Sequence, residues 1–147
     1  MSSAFSVRAG VRQGGILSPV LFAVYVDVLV HRLKSANIGC KMFDIYYGCL
    51  LYADDIVLLA HTCTLNGMQQ MLDICTEYGV DCDVKFNDSK SVAMRVGPRF
   101  NVACKALELS GKSIRFVDSV KYLGVNIVAW CYFRLILKTD HQFNTSV

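Results

Sequence analysis

Asp54 and Asp55 stand side by side between two short apolar runs, residues 46–52 and 56–60. Runs of this length, rich in aromatic and branched side chains, read as the arms of an antiparallel hairpin, with Ala53-Asp54-Asp55 at its turn. The pair constrains what surrounds it, because adjacent carboxylates repel each other and near a core both charges are costly unless a cation joins them. Mg²⁺ takes one or two carboxylates together with phosphate oxygens and retained waters, so Asp54 and Asp55 could form half of a two-metal phosphoryl-transfer site. Aspartate is equally a favoured turn residue, and the pair alone is also what an ordinary surface turn would carry.

The rest of the chain can bury a core around such a hairpin. Of its 147 residues 54% are apolar and only 18% charged, and a mean hydropathy of +0.39 excludes the disordered and low-complexity classes. No charge-free stretch reaches the ~18 apolar residues of a membrane span, and residues 1–12 hold no signal-peptide run, so an intracellular protein without a membrane partner is expected. The seven cysteines are odd in number and form no Cys-x-x-Cys pair, which predicts reduced core thiols rather than disulfides or zinc. Charge is distributed in blocks: residues 1–43 carry a net +4, residues 44–88 a net −7 and residues 89–147 a net +6. An acidic centre between basic flanks suits a cation site working on a polyanion, although solvated faces produce the same pattern.

Gly10, Gly14 and Gly15 make a loop around Arg12 and Gln13, and Ser18-Pro19 then supplies an N-cap and a proline at the first helical position. Leu21, Tyr25, Val28, Leu29 and Leu33 recur at helical spacing, predicting a helix at about 19–36. After the hairpin, Asn66 and Gln69 resemble a capping box, and an apolar stripe of Met68, Met71, Leu72 and Cys75 runs to Gly79, a natural stop, giving a second helix at 67–78. Val80, Cys82, Val84 and Phe86 then alternate with polar residues, as do Val92, Met94 and Val96, so one or both runs are strands. Leu107 and Leu109 face Ile114 and Phe116 across Ser110-Gly111-Lys112 in a second hairpin, and a further strand covers 120–127. Residues 128–147 form a tail for which the sequence predicts no structure. The order helix, hairpin, helix, strand over 16–96 is an α+β plan, the ferredoxin-like motif without its first strand (αββαβ), followed by a small antiparallel β element.

Two strings carry a family resemblance. Gly10-Val-Arg-Gln-Gly-Gly-Ile-Leu-Ser-Pro-Val-Leu-Phe22, followed by Tyr52-Ala-Asp-Asp55-Ile-Val-Leu-Leu-Ala60, closely resembles the palm of reverse transcriptases, especially those of non-LTR retrotransposons and group II introns. Residues 87–90 and Tyr122-Leu123-Gly124 resemble the family's later motifs, and the likeness spans about 5–127, so residues 1–127 are expected to be a partial palm domain.

The resemblance implies an RNA-directed DNA polymerase, with an RNA template, a DNA primer and deoxynucleotides as partners and two Mg²⁺ ions as cofactor. It implies that Asp54 binds the catalytic metals and Asp55 supports them, and that Tyr52 and Ala53 shape the turn beneath the primer terminus. Arg12, Gln13, Gly14 and Gly15 would line the nucleotide and template side, Lys90 would lie near the triphosphate, and Tyr122, Leu123 and Gly124 would touch the primer backbone. The family uses a further aspartate on a strand preceding the Arg12-Gln13 loop, and this sequence shows no such strand after Met1. A fragment inactive on its own is therefore expected, able to self-associate through an exposed strand edge. The competing readings are a non-catalytic remnant and an RNA-binding module, the second lacking the aromatic signature of RRM domains.

Overall fold

The computed structural model describes residues 18–61, 65–100, 102, 105–129 and 134–136. The chain divides into two compact units, Met1–Ala60 and His61–Val147. Helices and strands are both present, so the fold class is α+β.

The first unit opens with α1 (Ser18–Ser35), which starts at the expected Ser18-Pro19 and ends on Arg32 and Lys34, cations placed where the helix dipole favours them. Its buried side chains are Val26, Leu29 and Leu33, at i, i+3 and i+7. The expected stripe is corrected in part: Leu29 and Leu33 point inward, whereas Leu21, Tyr25 and Val28 are exposed. An unexpected small hairpin follows, β1 (Lys41–Met42) paired with β2 (Ile45–Tyr46). Then come β3 (Cys49–Tyr52) and β4 (Asp55–Leu58), paired antiparallel from Cys49↔Leu58 to Tyr52↔Asp55. The expected hairpin is present with a shorter first arm, since Tyr46 belongs to β2.

One backbone hydrogen bond joins the two hairpins at their bases, the Cys40 amide donating to the Leu59 carbonyl (2.9 Å), and one more closes each hairpin there: Tyr47 donates to Cys40 in the first (2.8 Å) and Leu59 to Gly48 in the second (2.8 Å). Gly48 permits this junction through its missing side chain, because a Cβ there would lie 2.4 Å from the Tyr46 ring.

The second unit opens with α2 (Leu65–Asp81), longer at both ends than expected. Gly79 is not the stop. It lies inside the helix, and the chain turns only at Asp83, whose φ is +52°. A Cβ at Gly79 would stand 2.7 Å from the Val84 carbonyl, so glycine serves here to let residues 84–86 fold back on the helix end. That return, fixed by the Val84 amide donating to Gly79 at 2.9 Å, replaces the strand suggested by the alternation of 80–86. Asn66 is likewise a helical residue, so it does not form a capping box with Gln69.

Of the run 92–96 only β5 (Val92–Ala93) is a strand. It pairs in parallel with β7 (Lys112–Phe116), whose other neighbour is the antiparallel β6 (Leu107–Leu109). Buried Met71, Leu72, Cys75 and Tyr78 of α2 and Leu107, Leu109 and Ile114 of the sheet supply this unit's core. Gln69 clamps the β6 edge like a peptide group, donating through Nε2 to the Glu108 carbonyl and accepting through Oε1 from the Glu108 amide, both at 2.9 Å. The Ser110 amide adds a bond to Thr76 Oγ1 at 3.1 Å.

The single strand expected at 120–127 is instead a hairpin of β8 (Ser119–Tyr122) and β9 (Val125–Val128), turning at Leu123-Gly124. β10 (Arg134–Ile136), in the tail, pairs with β9 to make a three-stranded antiparallel sheet. No strand pairing among the described residues joins β3–β4 to β5. No helix among the described residues is long and apolar enough to cross a membrane.

Candidate functional site

The β3–β4 hairpin turns on two residues, Ala53 and Asp54, because Tyr52 already pairs with Asp55. Ala53 takes φ +48°, a left-handed conformation that an L side chain adopts at a cost of ~1–2 kcal/mol. The turn leaves Asp54 at the tip and Asp55 as the first residue of β4, both exposed, with Tyr52 beside them 60% exposed. Neither arm of the hairpin contains a basic residue.

At the other end of the hairpin the environment is apolar. Burial pushes the Cys49 thiol up to about 11 against the opposing charge of Lys34, and burial also raises Cys40. The carboxylates therefore stand on the open end of a ribbon whose base is fastened by Gly48, Leu59 and Cys40.

The remaining expected site residues fall elsewhere. Arg12, Gln13, Gly14 and Gly15 lie outside the described residues. Lys90 is an exposed residue of the second unit, closing a turn in which Asn87 Oδ1 accepts from the Lys90 amide at 3.1 Å and the Ser89 hydroxyl at 2.7 Å. Asp88 in the same turn pairs with Lys112, and that hydrogen bond leads the causes holding its carboxyl below the usual range. Tyr122, Leu123 and Gly124 form the β8–β9 turn, with φ +48° at Leu123 and +81° at Gly124. The structure thus groups Tyr52, Ala53, Asp54 and Asp55 on one turn and Tyr122, Leu123 and Gly124 on another.

Residues 2–127 match the family model described as reverse transcriptase (RNA-dependent DNA polymerase). The chain belongs to this family. The reverse transcriptase relatives include the retrovirus-related Pol polyprotein from the type-2 retrotransposable element R2DM of Drosophila melanogaster, 32% identical over 87% of this chain and 13% of the relative. The RNA-directed DNA polymerase from mobile element jockey of the same species is 26% identical over 99% of the chain and 16% of its own length. A Pol polyprotein from a type-1 retrotransposable element R2 of Nasonia vitripennis reaches 49% identity over 43% of the chain and 6% of the relative. The expected non-LTR retrotransposon type is borne out by these relatives. The chain spans about one seventh of the length of the first two. No solved structure matches it.

A divalent cation is the group this family implies at the hairpin tip. Two adjacent, exposed carboxylates are hard oxygen donors of the kind Mg²⁺ takes. Among the described residues no cluster of three or more His, Cys, Asp or Glu surrounds them. The tip therefore fits one side of an ion site.

Proposed function

We propose that the chain contributes the palm of an RNA-directed DNA polymerase, residues 1–127 forming a ferredoxin-like αββαβ unit without its first strand, and that Asp54 and Asp55 serve nucleotidyl transfer. The observation that carries this reading is the tip of the β3–β4 hairpin, which exposes Asp54 in the turn and Asp55 at the start of β4 on a ribbon fastened at its base, in a member of the reverse transcriptase family.

Asp54 and Asp55 would hold Mg²⁺, which when bound neutralises charge on the reacting phosphate. The chain's own residues supply alignment. Tyr52 and Ala53 shape the surface beneath the primer terminus, and Arg12, Gln13, Gly14 and Gly15 line the nucleotide and template side. Lys90 lies toward the triphosphate, and Tyr122, Leu123 and Gly124 contact the primer backbone. Catalysis of this kind rests on positioning and charge stabilisation, so it needs no protein nucleophile.

The ligand set favours a second statement about the chain by itself. Asp54 and Asp55 come from one turn, and no further ligand cluster occurs among the described residues. The 147-residue chain is then a nucleic-acid-binding piece that does not extend a primer. Among the described residues β3 and β4 pair only with each other, and the edges of that sheet, with Leu50 and Leu51 exposed, are where it would self-associate.

Primer extension on an RNA template tests the proposal with three proteins: this chain, the R2DM relative carrying residues 2–127 in place of its matching segment, and that chimera with Asp54→Ala. The chain is expected to give no extension and the chimera to extend. Asp54→Ala is expected to lower the rate by at least about a hundredfold while template affinity holds, since the lost group acts on developing charge. Full activity of Asp54→Ala would remove the role assigned to the tip.

A further inference from the structure

Gly39 and Gly48 face each other where the β1–β2 hairpin meets the β3–β4 hairpin. Lys41 pairs with Tyr46, and the Tyr47 amide donates to the Cys40 carbonyl at 2.8 Å, so the next positions down the ladder are 39 and 48. The backbones are close there: a Cβ on Gly39, whose φ is +103°, would stand 2.9 Å from the Gly48 Cα. Gly48 also belongs to the second ribbon, because its carbonyl accepts from the Leu59 amide and β3 starts at Cys49. Cys40 completes the joint by donating to the Leu59 carbonyl at 2.9 Å. Two opposed glycines give a joint little stiffness of its own, since glycine has the widest backbone freedom and no side chain to pack across the strands.

The Tyr46 ring supplies what the glycines lack. Its outer edge covers both: a Cβ on Gly48 would lie 2.4 Å from Cζ and 2.7 Å from Cε2, and one on Gly39 would lie 3.2 Å from the same Cε2. The hydroxyl oxygen at the end of the ring is buried in the joint. Tyr46 differs in this from its neighbours Met42, Phe43 and Ile45 in the same hairpin, all of which are exposed. An aromatic ring laid over strand glycines pins register and stiffens a sheet where side chains are missing.

The joint carries a lever. Among the described residues β3 and β4 pair only with each other, so no neighbouring strand among them fixes the direction of the ribbon. Tyr52 ends β3 four residues beyond Gly48, about 13 Å along a strand, and the turn carries Asp54 to about 15 Å. A tilt of about 4° at the base then moves the tip by about 1 Å, and a misplacement of that size can cost a reaction about a hundredfold. The carboxylates can serve chemistry only if the joint is held to within a few degrees.

We infer that Tyr46 is a positioning residue for Asp54 and Asp55, its ring locking the Gly39–Gly48 joint so that the ribbon presents both carboxylates in one direction. The inference rests on the proposed function for the reaction those carboxylates serve. Tyr46 acts through the ribbon rather than on a substrate. A ring with a purely structural role would keep the unit folded and leave every folded molecule equally competent.

Rapid-quench measurement of single-nucleotide extension separates the two roles in the R2DM chimera that carries residues 2–127. Burst amplitude counts competent complexes, and burst rate reads alignment within each. Tyr46→Ala is expected to lower the burst rate about 10- to 100-fold, with the deoxynucleotide concentration for half-maximal rate unchanged. Tyr46→Phe keeps the ring carbons that meet both glycines and should keep the parent's rate. A reduced amplitude with the parent's rate in Tyr46→Ala would show a structural ring alone and overturn the inference. Where the alanine variant does not fold, Tyr46→Leu carries the same test, since it retains apolar bulk but is too short to cover both glycines. In the 147-residue chain, NMR order parameters of the amides of residues 53–55 should fall from about 0.85 in the parent to below about 0.6 in Tyr46→Ala and hold in Tyr46→Phe. Unchanged values in Tyr46→Ala, or a tip already mobile in the parent, would overturn the lock whatever the reaction. Loss of extension in Asp54→Ala with an unaltered rate in Tyr46→Ala refutes the lock and leaves the polymerase reading standing. Full activity of Asp54→Ala removes that reading, while a loosened tip in the Tyr46→Ala chain would leave the lock in place.

Discussion

Gly48→Ala should loosen the ribbon that carries Asp54 and Asp55 although it touches neither. A Cβ at position 48 would stand 2.4 Å from both Cζ and the hydroxyl oxygen of Tyr46 and 2.7 Å from Cε2. Ordinary carbon–carbon contact is about 3.5–4.0 Å, so the overlap with the ring carbons approaches or exceeds about an ångström. The ring is hemmed in on a second side, because Gly39 flanks it as well: a Cβ there would lie 3.0 Å from the same hydroxyl. Either the ring leaves its place, or Gly48 moves and strains the bond its carbonyl accepts from the Leu59 amide at 2.8 Å. Overpacking of this kind costs about 1–3 kcal/mol, and the second route adds a weakened hydrogen bond of about 1 kcal/mol, so a loss of about 2 kcal/mol is expected. The φ of Gly48 is not positive, so the penalty comes from contact and not from conformation. That distinction makes it testable by a double-substitution cycle in urea. In a Tyr46→Ala background Gly48→Ala should become nearly neutral, a coupling of about 2 kcal/mol. A penalty below about 0.5 kcal/mol in the parent, or one that persists without the Tyr46 ring, would refute the reasoning.

Gln69→Ala removes both bonds to the exposed β6 edge and should destabilise the second unit by about 1–2 kcal/mol, with faster hydrogen exchange at the Glu108 amide. Unchanged exchange there would show that water replaces the clamp at no cost. The Asp88–Lys112 pair gives a pH dependence of fixed sign: the hydrogen bond from Lys112, aided by its charge, lowers the Asp88 carboxyl, although slight desolvation opposes it. A group whose pKa is depressed on folding stabilises above its unfolded value, about 3.9 for aspartate, and loses that contribution as pH falls through the folded value. Lys112→Met should therefore move the Asp88 titration midpoint, read from its carboxyl carbon by NMR, upward toward the ordinary value, and an unmoved midpoint would deny the pair its role.

Much of the fold is legible in the sequence because much of it is local. Ser18-Pro19 marks the start of α1, and the Ser110-Gly111 turn closes its hairpin with the glycine that a left-handed position favours. Sequence and structure part where two rules compete. Residues 80–86 alternate with period two, yet their polar positions Asp81 and Asp83 are poor strand formers, and the return of Val84 and Phe86 onto Gly79 is a tertiary contact that periodicity does not report. The β1–β2 hairpin is hidden because Phe43-Asp44 carries no turn signature, and β8–β9 resembles one strand because leucine conceals a left-handed residue at Leu123. The same logic divides the site. Asp54 and Asp55 can be located from sequence since adjacent residues share one turn, whereas Lys90 belongs to the second unit and no local pattern fixes its relation to them.

Among the described residues, all four two-residue hairpin turns place a residue other than glycine at φ near +50° in their first position: Phe43, Ala53, Ser110 and Leu123. In the second unit glycine follows in both cases, Gly111 and Gly124, and takes up the rest of the turn's unusual geometry. In the first unit the next residues are Asp44 and Asp54, so neither turn contains a glycine. Glycine at 43 or 44 would ease the left-handed backbone there, but at 43 it would delete the exposed ring. Ala53 bears its strain alone, immediately before the carboxylate at the tip. Each of the four turns thus carries strain of about 1–2 kcal/mol at its left-handed first residue, and in the first unit the bonds among Cys40, Tyr47, Gly48 and Leu59 close both ribbons below it. The second unit carries its glycines where the turns close a sheet. The two units therefore differ at the second turn position, glycine in the second unit and aspartate in the first, and Asp54 there stands exposed at the tip of its ribbon.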